Sequence, residues 1–278
     1  MHWQAERVPS SREAVDLSVC VVAWNAAEDL SRCLPSLAEG AVGLSLEVIV
    51  VDNGSQDGTA ELLANHPKAR VIRNERNLGI TPARNQAALA ANGETIAMLD
   101  ADTVAQPASL TTMVAYLRDH PNVGLVGPKL VDPDGTLQLS CRTISPPLLP
   151  FLRRPPLSRW FEHSPTVNRH LMRDFDHDRP RAVDWVMGAC QCYPRRLLPE
   201  VGAYDERVFS HGGEDTDWCL RVWKAGYGVH YVPEAEVVHA YGHFTRKHPF
   251  SRQARRAITD FYYVLYKHRD IRGGLAER

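Results

Sequence analysis

The sequence predicts an α/β protein in which helices cover both faces of a mostly parallel, mixed central sheet. Short apolar runs, which indicate buried strands, alternate with segments whose apolar residues recur at spacings of three and four. The first three runs are Leu17–Ala23, Leu46–Val51 and Val71–Arg73. Strand and helix alternating at this spacing indicate βαβ units, and such units build parallel sheets.

Each of these strands leads into a predicted helix. Leu30, Cys33 and Leu37 share one face of the first helix, and Asp57 with Thr59 marks the start of the second. The remaining predicted elements are a helix over Pro82–Ala91, strands Ile96–Leu99 and Val123–Val126 with a helix around Met113 between them, a strand-like segment at Cys190–Tyr193, a helix carrying Trp218 and Trp223, and a strand over Gly228–Val232.

The segment Arg142–Arg181 differs from the rest of the chain. It contains eight arginines and no lysine, and five of its prolines lie between Pro146 and Pro156. Its weak periodicity predicts a long, partly mobile surface excursion rather than a separate domain.

Composition narrows the class of protein. A chain of 278 residues with 44% apolar and 23% charged residues can bury a sizeable core. The formal net charge of −1 gives no reason to expect nucleic-acid binding. No apolar run approaches the roughly 18 residues that span a bilayer.

The cysteines and the amino-terminal segment predict a cytoplasmic protein. Met1–Asp16 is polar and lacks the apolar core of a signal peptide. Six cysteines are scattered along the chain, and the pair Cys190 and Cys192 lacks the usual spacing of zinc ligands. We therefore interpret them as reduced, mostly buried thiols.

Two carboxylates one residue apart, Asp100 and Asp102, follow the predicted strand Ile96–Leu99. Open α/β sheets bind their ligands at the carboxyl ends of the strands. A turn at this point can direct both acids to one hard cation, which prefers oxygen ligands and shared phosphates. The motif alone leaves open that both are turn or capping residues before the helix near Pro107.

Polar residues also follow other predicted strands. The loop Asp52–Thr59 is dense in turn formers. Glu214, Asp215 and Asp217 precede a helix, where acids either belong to a site or interact with the positive end of the helix dipole. His239 follows an apolar strand, and a lone histidine in that position is usually a structural residue.

Taken in chain order, these motifs resemble those of glycosyltransferase family 2. They are Val21–Asn25 (VVAWN), Val51–Thr59, Asn77-x-Gly79, Asp100-x-Asp102, Gly213-Glu-Asp-x-Asp217 and His239-x-x-Gly242. The resemblance runs from about Leu17 to His243 and is nearest to bacterial rhamnosyltransferases acting on cell-wall or lipopolysaccharide intermediates. It implies the GT-A fold, a Rossmann-like αβα sandwich, with a nucleotide-diphosphate sugar donor, a divalent cation (Mg²⁺ or Mn²⁺) and inversion at the anomeric carbon.

The resemblance implies donor-site roles for several residues. Asp52 accepts a hydrogen bond from a pyrimidine N–H, and the turn Ala23, Trp24, Asn25 lines the same base pocket, although the family more often has Thr-Tyr-Asn there. Asp100 lies near ribose and water, and Asp102 binds the cation that bridges the two phosphates. Further donor-binding candidates are Asn77, Gly79, Arg84 and Ala101. Asn77 and Arg84 either contact the donor or only order the loop.

The remaining roles concern acceptor activation. By resemblance, Asp215 is the base that takes the proton of the acceptor hydroxyl, and His239 is a further metal ligand. The acceptor-binding candidates are Trp185, Gly188, Glu214, Asp217 and Trp218. The acceptor itself is a glycan, a lipid-linked intermediate or a small molecule, and deoxythymidine-diphosphate rhamnose is the first donor expected, with uridine-linked hexoses next.

We expect one catalytic domain over residues 1–245, with a nucleotide-sugar-binding half at 17–130 and an acceptor-binding half at 131–245. Residues 246–278 form a basic, aromatic helical tail with nine Lys or Arg and three Asp or Glu, a net of +6. The tail either packs its aromatic residues on the domain or contacts an anionic membrane, at the inner face of which a lipid-linked acceptor would lie. The sequence also leaves open whether the protein forms a homodimer.

Two rival functions remain at this stage. A nucleotidyltransferase on a related fold would attack the α-phosphate and release pyrophosphate, but the turn Val22–Asn25 lacks the Gly-rich, basic phosphate loop of that chemistry. A sugar-nucleotide-binding protein without catalysis is the non-enzymatic rival, and intact Asp102, Asp215 and His239 argue against it.

Overall fold

The computed structural model describes residues 14–153, 156–208, 213–240, 251–271 and 274–276. Several residues used in the sequence analysis lie outside these ranges, namely 1–13, 154–155, Gly242, His243, and 246–250, 272–273 and 277–278 of the tail.

The described strands are β1 (Leu17–Ala23), β2 (Leu46–Asp52), β3 (Ala69–Arg73), β4 (Thr95–Asp100), β5 (Thr103–Ala105), β6 (Val123–Val131), β7 (Leu137–Gln138), β8 (Cys141–Arg142), β9 (Arg181–Ala182), β10 (Trp185–Val186), β11 (Cys190–Pro194) and β12 (Gly228–His239). The described helices are α1 (Ala27–Gly40), α2 (Thr59–Ala64), α3 (Ile80–Ala90), α4 (Ser109–Asp119), α5 (Leu149–Leu152), α6 (Ser158–Phe161), α7 (Pro165–His170), α8 (Leu197–Val201), α9 (Glu214–Lys224) and α10 (Arg252–Lys267).

The central sheet confirms the predicted fold class. Its strand order is β3-β2-β1-β4-β11-β6-β12-β5, and β3, β2, β1 and β4 are mutually parallel. β1 is buried along its whole length because helices cover both of its faces, which explains its unbroken apolar sequence. Val19 and Val21 pack in the core beneath α1 and α4, whereas Cys20 and Val22 pack with residues of α3 and α9.

Antiparallel strands make the sheet mixed beyond β4. β11 lies antiparallel between β4 and β6, and β12 runs parallel to β6 but antiparallel to β5. All six cysteines, including Cys190 and Cys192 of β11, are buried and free.

β12 extends to His239, whereas the sequence predicted a strand ending at Val232. The register with β6 shifts between Val232 and Glu236. Pro233 has no N–H for the ladder, and a bulge at this point accommodates it without ending the strand. The continuation carries His239 to a position opposite Thr103 of β5.

The predicted surface excursion, Arg142–Arg181, contains more structure than its composition suggested. It includes α5, α6 and α7, and Leu149, Val167 and Leu171 form a small core of their own. No helix among the described residues combines the length and apolar composition needed to cross a membrane.

α10 is fixed to the body of the protein by buried charges. The carboxylate of Asp217 in α9 lies 2.6 Å from the ammonium of Lys267, and its other contacts are His268 Nε2 and Arg221 Nε, both at 2.9 Å. Burial raises the pKa of Asp217, but the hydrogen bond from His268 and the charges of Arg221 and Lys267 outweigh it, so the pKa lies below its usual value.

We expect Asp217→Ala to lower the free energy of unfolding by roughly 3–5 kcal/mol, because it leaves Lys267 and Arg221 without their buried counter-charge. Asp119→Ala, at an exposed site on α4, is the control and should change little. Urea unfolding at neutral pH measures both variants. Since the pKa of Asp217 is depressed, its stabilisation should be lost as pH falls below about 4. Equal stability of the two variants would contradict the anchoring role.

Candidate active site

The Asp-x-Asp turn joins the carboxyl end of β4 to β5. The N–H of Asp100 donates to the carbonyl of Ala189 at 2.9 Å, and the N–H of Ala240 donates to the carbonyl of Asp102 at 2.9 Å. Thr103 Oγ1 donates to the carbonyl of Asp100 at 2.7 Å. The backbone of the turn is therefore held by neighbouring segments from both sides, and both carboxylates are partly exposed at the sheet edge.

Asp100, Asp102 and His239 form an acid–histidine group. One ligand atom from each residue lies within 4.8 Å of the others. His239 Nε2 lies 3.6 Å from Asp102 Oδ1, and the imidazole is almost fully buried. Two carboxylate oxygens and one imidazole nitrogen fit a divalent cation such as Mn²⁺ or Mg²⁺ that also shares phosphate oxygens.

Gln138 in β7 fixes the orientation of His239. Its side-chain nitrogen donates to the carbonyl of His239 and to Asp132 Oδ1, each at 2.8 Å, so its Oε1 must face the imidazole. His239 Nδ1 lies 2.9 Å from that oxygen and therefore carries the proton. Nε2 consequently presents a lone pair towards Asp102, as a metal ligand requires. No motif marked Gln138 in the sequence.

The acid–histidine group concentrates negative charge. Burial and the neighbouring charge of Asp100 raise the pKa of Asp102 to about 7. A bound cation would reverse this shift, because it favours the ionised carboxylate.

Arg84 connects this group to the start of α9. Its Nη2 donates to Asp100 Oδ1 and to the carbonyl of Gly188, both at 2.8 Å. Its Nη1 donates to Glu214 Oε1 at 3.1 Å. The side chain is only 1% exposed, so the guanidinium bonds interior groups and does not reach the surface of the cleft.

Asp215 contacts the backbone N–H of Gly188, the residue whose carbonyl accepts from Arg84. Its Oδ2 accepts a hydrogen bond from the N–H of Gly188 at 3.0 Å, and its Oδ1 accepts one from the N–H of Thr216 at 2.6 Å. Burial and the adjacent Glu214 raise the pKa of Asp215 to about 7, against the opposing effect of these N–H groups and Arg84. A carboxyl group with this pKa is suited to accept a proton near neutral pH.

A second cluster of predicted donor-site residues surrounds the carboxyl ends of β1 and β2. Asp52 is 1% exposed, and its Oδ1 accepts the N–H of Ser55 at 2.9 Å. Its Oδ2 makes no hydrogen bond with the described residues, but Arg73 Nε lies 3.5 Å from it as an ion-pair partner. Ala23 pairs with Asp52 across the two strands, Trp24 is half exposed, and Asn25 Oδ1 accepts the N–H of Gln56 at 2.8 Å. A buried carboxylate oxygen that has an ion-pair partner but makes no hydrogen bond can accept one from a ligand.

The loop before α3 depends on Asn53, which sequence reasoning missed. Its Nδ2 donates to Asn77 Oδ1 and to the carbonyl of Gly79, both at 3.1 Å. Gly79 has a φ of +97°, a conformation that favours glycine, and it precedes the first residue of α3. The structure therefore gives Asn77 and Gly79 a loop-ordering role.

The predicted acceptor-binding residues occupy different environments. Trp218 is fully buried beside Tyr193, with ring centroids 4.8 Å apart, and Asp217 belongs to the ion-pair cluster described above. Trp185 is buried and donates its indole N–H to the carbonyl of Thr143. Glu214 and Gly188 both contact Arg84, and a Cβ at Gly188 would lie 2.7 Å from its Nη1. Of this set, Gly188 and Glu214 lie in contact with the groups around Asp215.

A mixed α/β sheet whose carboxyl edge carries an Asp-x-Asp turn and a buried carboxylate at a helix start is typical of GT-A glycosyltransferases. Residues 18–176, more than half of the chain, match the family described as glycosyl transferase family 2. The chain belongs to this family and is a glycosyltransferase, which decides against the nucleotidyltransferase alternative.

Individual relatives agree with this assignment. The chain is 29% identical over 265 residues to an N-acetylglucosaminyl-diphospho-decaprenol L-rhamnosyltransferase of Mycobacterium tuberculosis, and the match covers 91% of this chain and 85% of the relative. The fold is similar to that of GalNAc-T7 solved with UDP, GalNAc and Mn²⁺, with a TM-score of 0.61 and 21% identity over 83% of this chain and 45% of that chain. It is also similar to the mannosyltransferase PcManGT of Pyrobaculum calidifontis solved with GDP-Man and Mn²⁺, with a TM-score of 0.56 and 20% identity over 98% of this chain and 80% of that one. These likenesses confirm the predicted GT-A fold and the resemblance to rhamnosyltransferases.

We expect Gln138→Met to weaken Mn²⁺ binding by about 10- to 100-fold, because His239 loses the partner that fixes its tautomer and ring orientation. Calorimetric titration of Mn²⁺ in the presence of a nucleoside diphosphate measures the effect. Asp102→Ala should abolish the binding, and Gln106→Met, next to β5, should leave it unchanged. Wild-type Mn²⁺ affinity in Asp102→Ala would exclude a cation site at the acid–histidine group.

Proposed function

We propose that this protein is an inverting, metal-dependent glycosyltransferase that moves a sugar from a nucleotide-diphosphate donor to a hydroxyl group of a lipid-linked or other glycan acceptor. The observation that carries the proposal is the connection between two sites at one edge of the sheet. Arg84 bonds both Asp100 and the carbonyl of Gly188, and the N–H of the same Gly188 bonds Asp215. A diphosphate-binding group and a proton acceptor are thereby held in a fixed relation.

On this proposal the donor extends from the Asp52 pocket to the acid–histidine group. The Oδ2 of Asp52, which is paired with Arg73 but makes no hydrogen bond within the described residues, would accept the N–H of the nucleobase, and the exposed ring of Trp24 would cover that nucleobase. Asp100 and the backbone of Ala101 would face the ribose, while Asp102 and His239 would hold the cation. When bound, the cation supplies positive charge beside the leaving diphosphate.

The transfer step proceeds as a single displacement. The acceptor oxygen forms a bond to the anomeric carbon as the bond from that carbon to the diphosphate oxygen breaks, and the configuration inverts. Asp215 takes the proton of the acceptor hydroxyl, and the electron pair of the broken bond leaves with the nucleoside diphosphate. Atoms and charges balance without a further reactant.

Several neighbouring residues would act by positioning this machinery. Arg84 and Glu214 would hold Gly188 and the start of α9, since both are buried and bonded to each other. Asp217 and Trp218 would keep α9 in place from the interior, so we no longer assign them direct contact with an acceptor. Residues 17–130 remain our proposed donor half and 131–245 our proposed acceptor half.

The choice of rhamnose and of a lipid-linked acceptor rests on similarity. The Mycobacterium tuberculosis relative, whose name specifies rhamnosyl transfer to a decaprenol-linked sugar, matches over 91% of this chain. We therefore propose deoxythymidine-diphosphate rhamnose as the donor and a polyprenyl-diphosphate sugar as the acceptor class. A membrane contact by the tail would serve such an acceptor, and the inward contacts of Tyr263 and Lys267 leave only the outer face of α10 for it.

Donor turnover tests the proposed reaction. Incubation of the full chain with Mn²⁺ and a panel of nucleotide sugars should release nucleoside diphosphate fastest from deoxythymidine-diphosphate rhamnose, as measured by mass spectrometry. Release from another sugar nucleotide would replace rhamnose and keep the reaction class. No nucleoside diphosphate from any member, with or without a polyprenyl-diphosphate sugar, would contradict the proposal and favour a binding protein.

Replacement of Asp215 by Asn tests the base. We expect turnover at saturating donor to fall by about 10²-fold or more, because Asn cannot accept the proton. Since the ionised form is required and the pKa lies near 7, wild-type turnover should fall about tenfold per pH unit below that value and level off above it. Asp119→Asn on α4 is the matched control, and melting temperatures show whether the variants are folded. A fully active, folded Asp215→Asn would remove Asp215 as the base.

A further inference from the structure

The exposed apolar side chains of this protein are unevenly distributed. Of twelve large hydrophobic residues that are exposed in the described ranges, seven belong either to residues 148–161, of which 154–155 are not described, or to α10. They are Leu148, Phe151, Leu157, Trp160, Phe161, Tyr262 and Tyr266. We call these two segments together the aromatic lobe. Trp160 is 71% exposed and Tyr266 is 66% exposed, so neither side chain belongs to the core.

The two segments of the aromatic lobe belong to one surface. Tyr262 OH donates to the carbonyl of Pro147 at 3.0 Å, immediately before the first segment. On the inner side, Leu149 packs in the small core against which Phe261 of α10 also lies. These contacts hold the two segments against each other, while the seven apolar side chains named above remain exposed.

The aromatic lobe is also the basic part of an otherwise acidic molecule. Residues 148–153 and 156–161 contain two arginines and no acid, and residues 252–267 contain four Lys or Arg and one Asp, so these ranges carry +2 and +3, with Lys267 of α10 directed inward to Asp205 and Asp217. The whole chain carries −1, and the remaining residues therefore carry −6. Aromatic rings combined with arginines, and with few acids, suit the headgroup region of an anionic bilayer.

We infer that the aromatic lobe docks on the surface of a bilayer that contains anionic lipids, with Phe151 and Trp160 entering the headgroup region. The inference rests on the proposed function, because a lipid-linked acceptor must be met at a membrane. It extends that function by assigning the contact to residues 148–161 together with α10, rather than to a basic tail alone. Rings and arginines share the contact as in interfacial amphipathic helices.

A cavity lies where α10 meets the start of α9. It has a volume of about 260 Å³, and Pro147, Phe261 and Leu265 line it on the side of the lobe. Thr216, the residue after Asp215, lines it on the side of the active site. Its lining is mainly apolar, although His268 and Arg269 also belong to it, and apolar walls suit the first carbons of a lipid chain.

Co-sedimentation of the full chain with vesicles tests the inference. We expect binding to phosphatidylcholine vesicles that contain phosphatidylglycerol, and little to phosphatidylcholine alone. Phe151→Ser combined with Trp160→Ser should lower the partition coefficient by roughly tenfold or more, since two exposed rings lose their apolar contact. Leu89→Ser, at a site 73% exposed on α3, is the matched control and should bind as the wild type does.

A second pair of variants tests how much positive charge contributes to vesicle binding. Arg159→Glu should weaken vesicle binding most at low salt, whereas Lys68→Glu makes the same charge change at an exposed site outside the lobe and should have little effect. Vesicles with brominated acyl chains should quench tryptophan emission, and Trp160→Phe should remove most of that quenching while keeping the binding. Unchanged binding of the Phe151 and Trp160 variant, equal binding to neutral vesicles, or binding to neither vesicle would overturn the inference.

The same variants separate this inference from the proposed function. Release of nucleoside diphosphate from the donor, measured without vesicles, should be the same in the Phe151 and Trp160 variant as in the wild type. If the protein turns over no donor but binds anionic vesicles through Trp160, only the proposed function fails. If it turns over donor and ignores vesicles, only the docking surface fails.

Discussion

The buried guanidinium of Arg84 is the interaction on which the site depends. Transfer of a cation and two carboxylates into the interior is costly unless their hydrogen bonds are made. Here Nη1 and Nη2 bond Asp100, Glu214 and the carbonyl of Gly188. One side chain of α3 thus fixes the end of β4, the turn before β11 and the start of α9, and these are the segments that carry the donor-side acids and Asp215.

The metal-binding geometry depends on a second long-range arrangement. His239 comes to Asp102 only because β12 continues past its bulge and pairs with β5. Gln138, from a two-residue strand that pairs with β6, then sets which imidazole nitrogen faces the acids. The ligands therefore come from two parts of the chain, the β4–β5 turn and the end of β12, and Gln138 comes from a third. Each part is held by backbone hydrogen bonds that do not depend on the cation.

α9 carries the proposed base at its amino terminus and also contacts α10, part of the aromatic lobe. Asp215 at its second residue is the proposed base, and Asp217, two residues later, binds Lys267 and His268 at the end of α10. The aromatic lobe is consequently attached to the element that carries the base. A rigid attachment of this kind would keep an acceptor at the membrane surface and the reacting groups at a constant separation.

The sequence by itself determined the sheet of the first half and the place of the Asp-x-Asp turn, because apolar periodicity and strand-end position are local properties of the chain. It also selected Asp215 and His239, through motifs whose order resembles a family. Only the tertiary structure decided which residues are buried and which residues form hydrogen bonds and ion pairs with one another. Gln138 carries no local signal, and Asn53 lies within the Val51–Thr59 motif without any indication of what it bonds. Trp218 and Asp217 proved to be interior residues, and β12 extends beyond its apolar run. Burial and hydrogen-bond partners depend on residues far apart in sequence, as with Arg84 and Glu214, and no short pattern contains them.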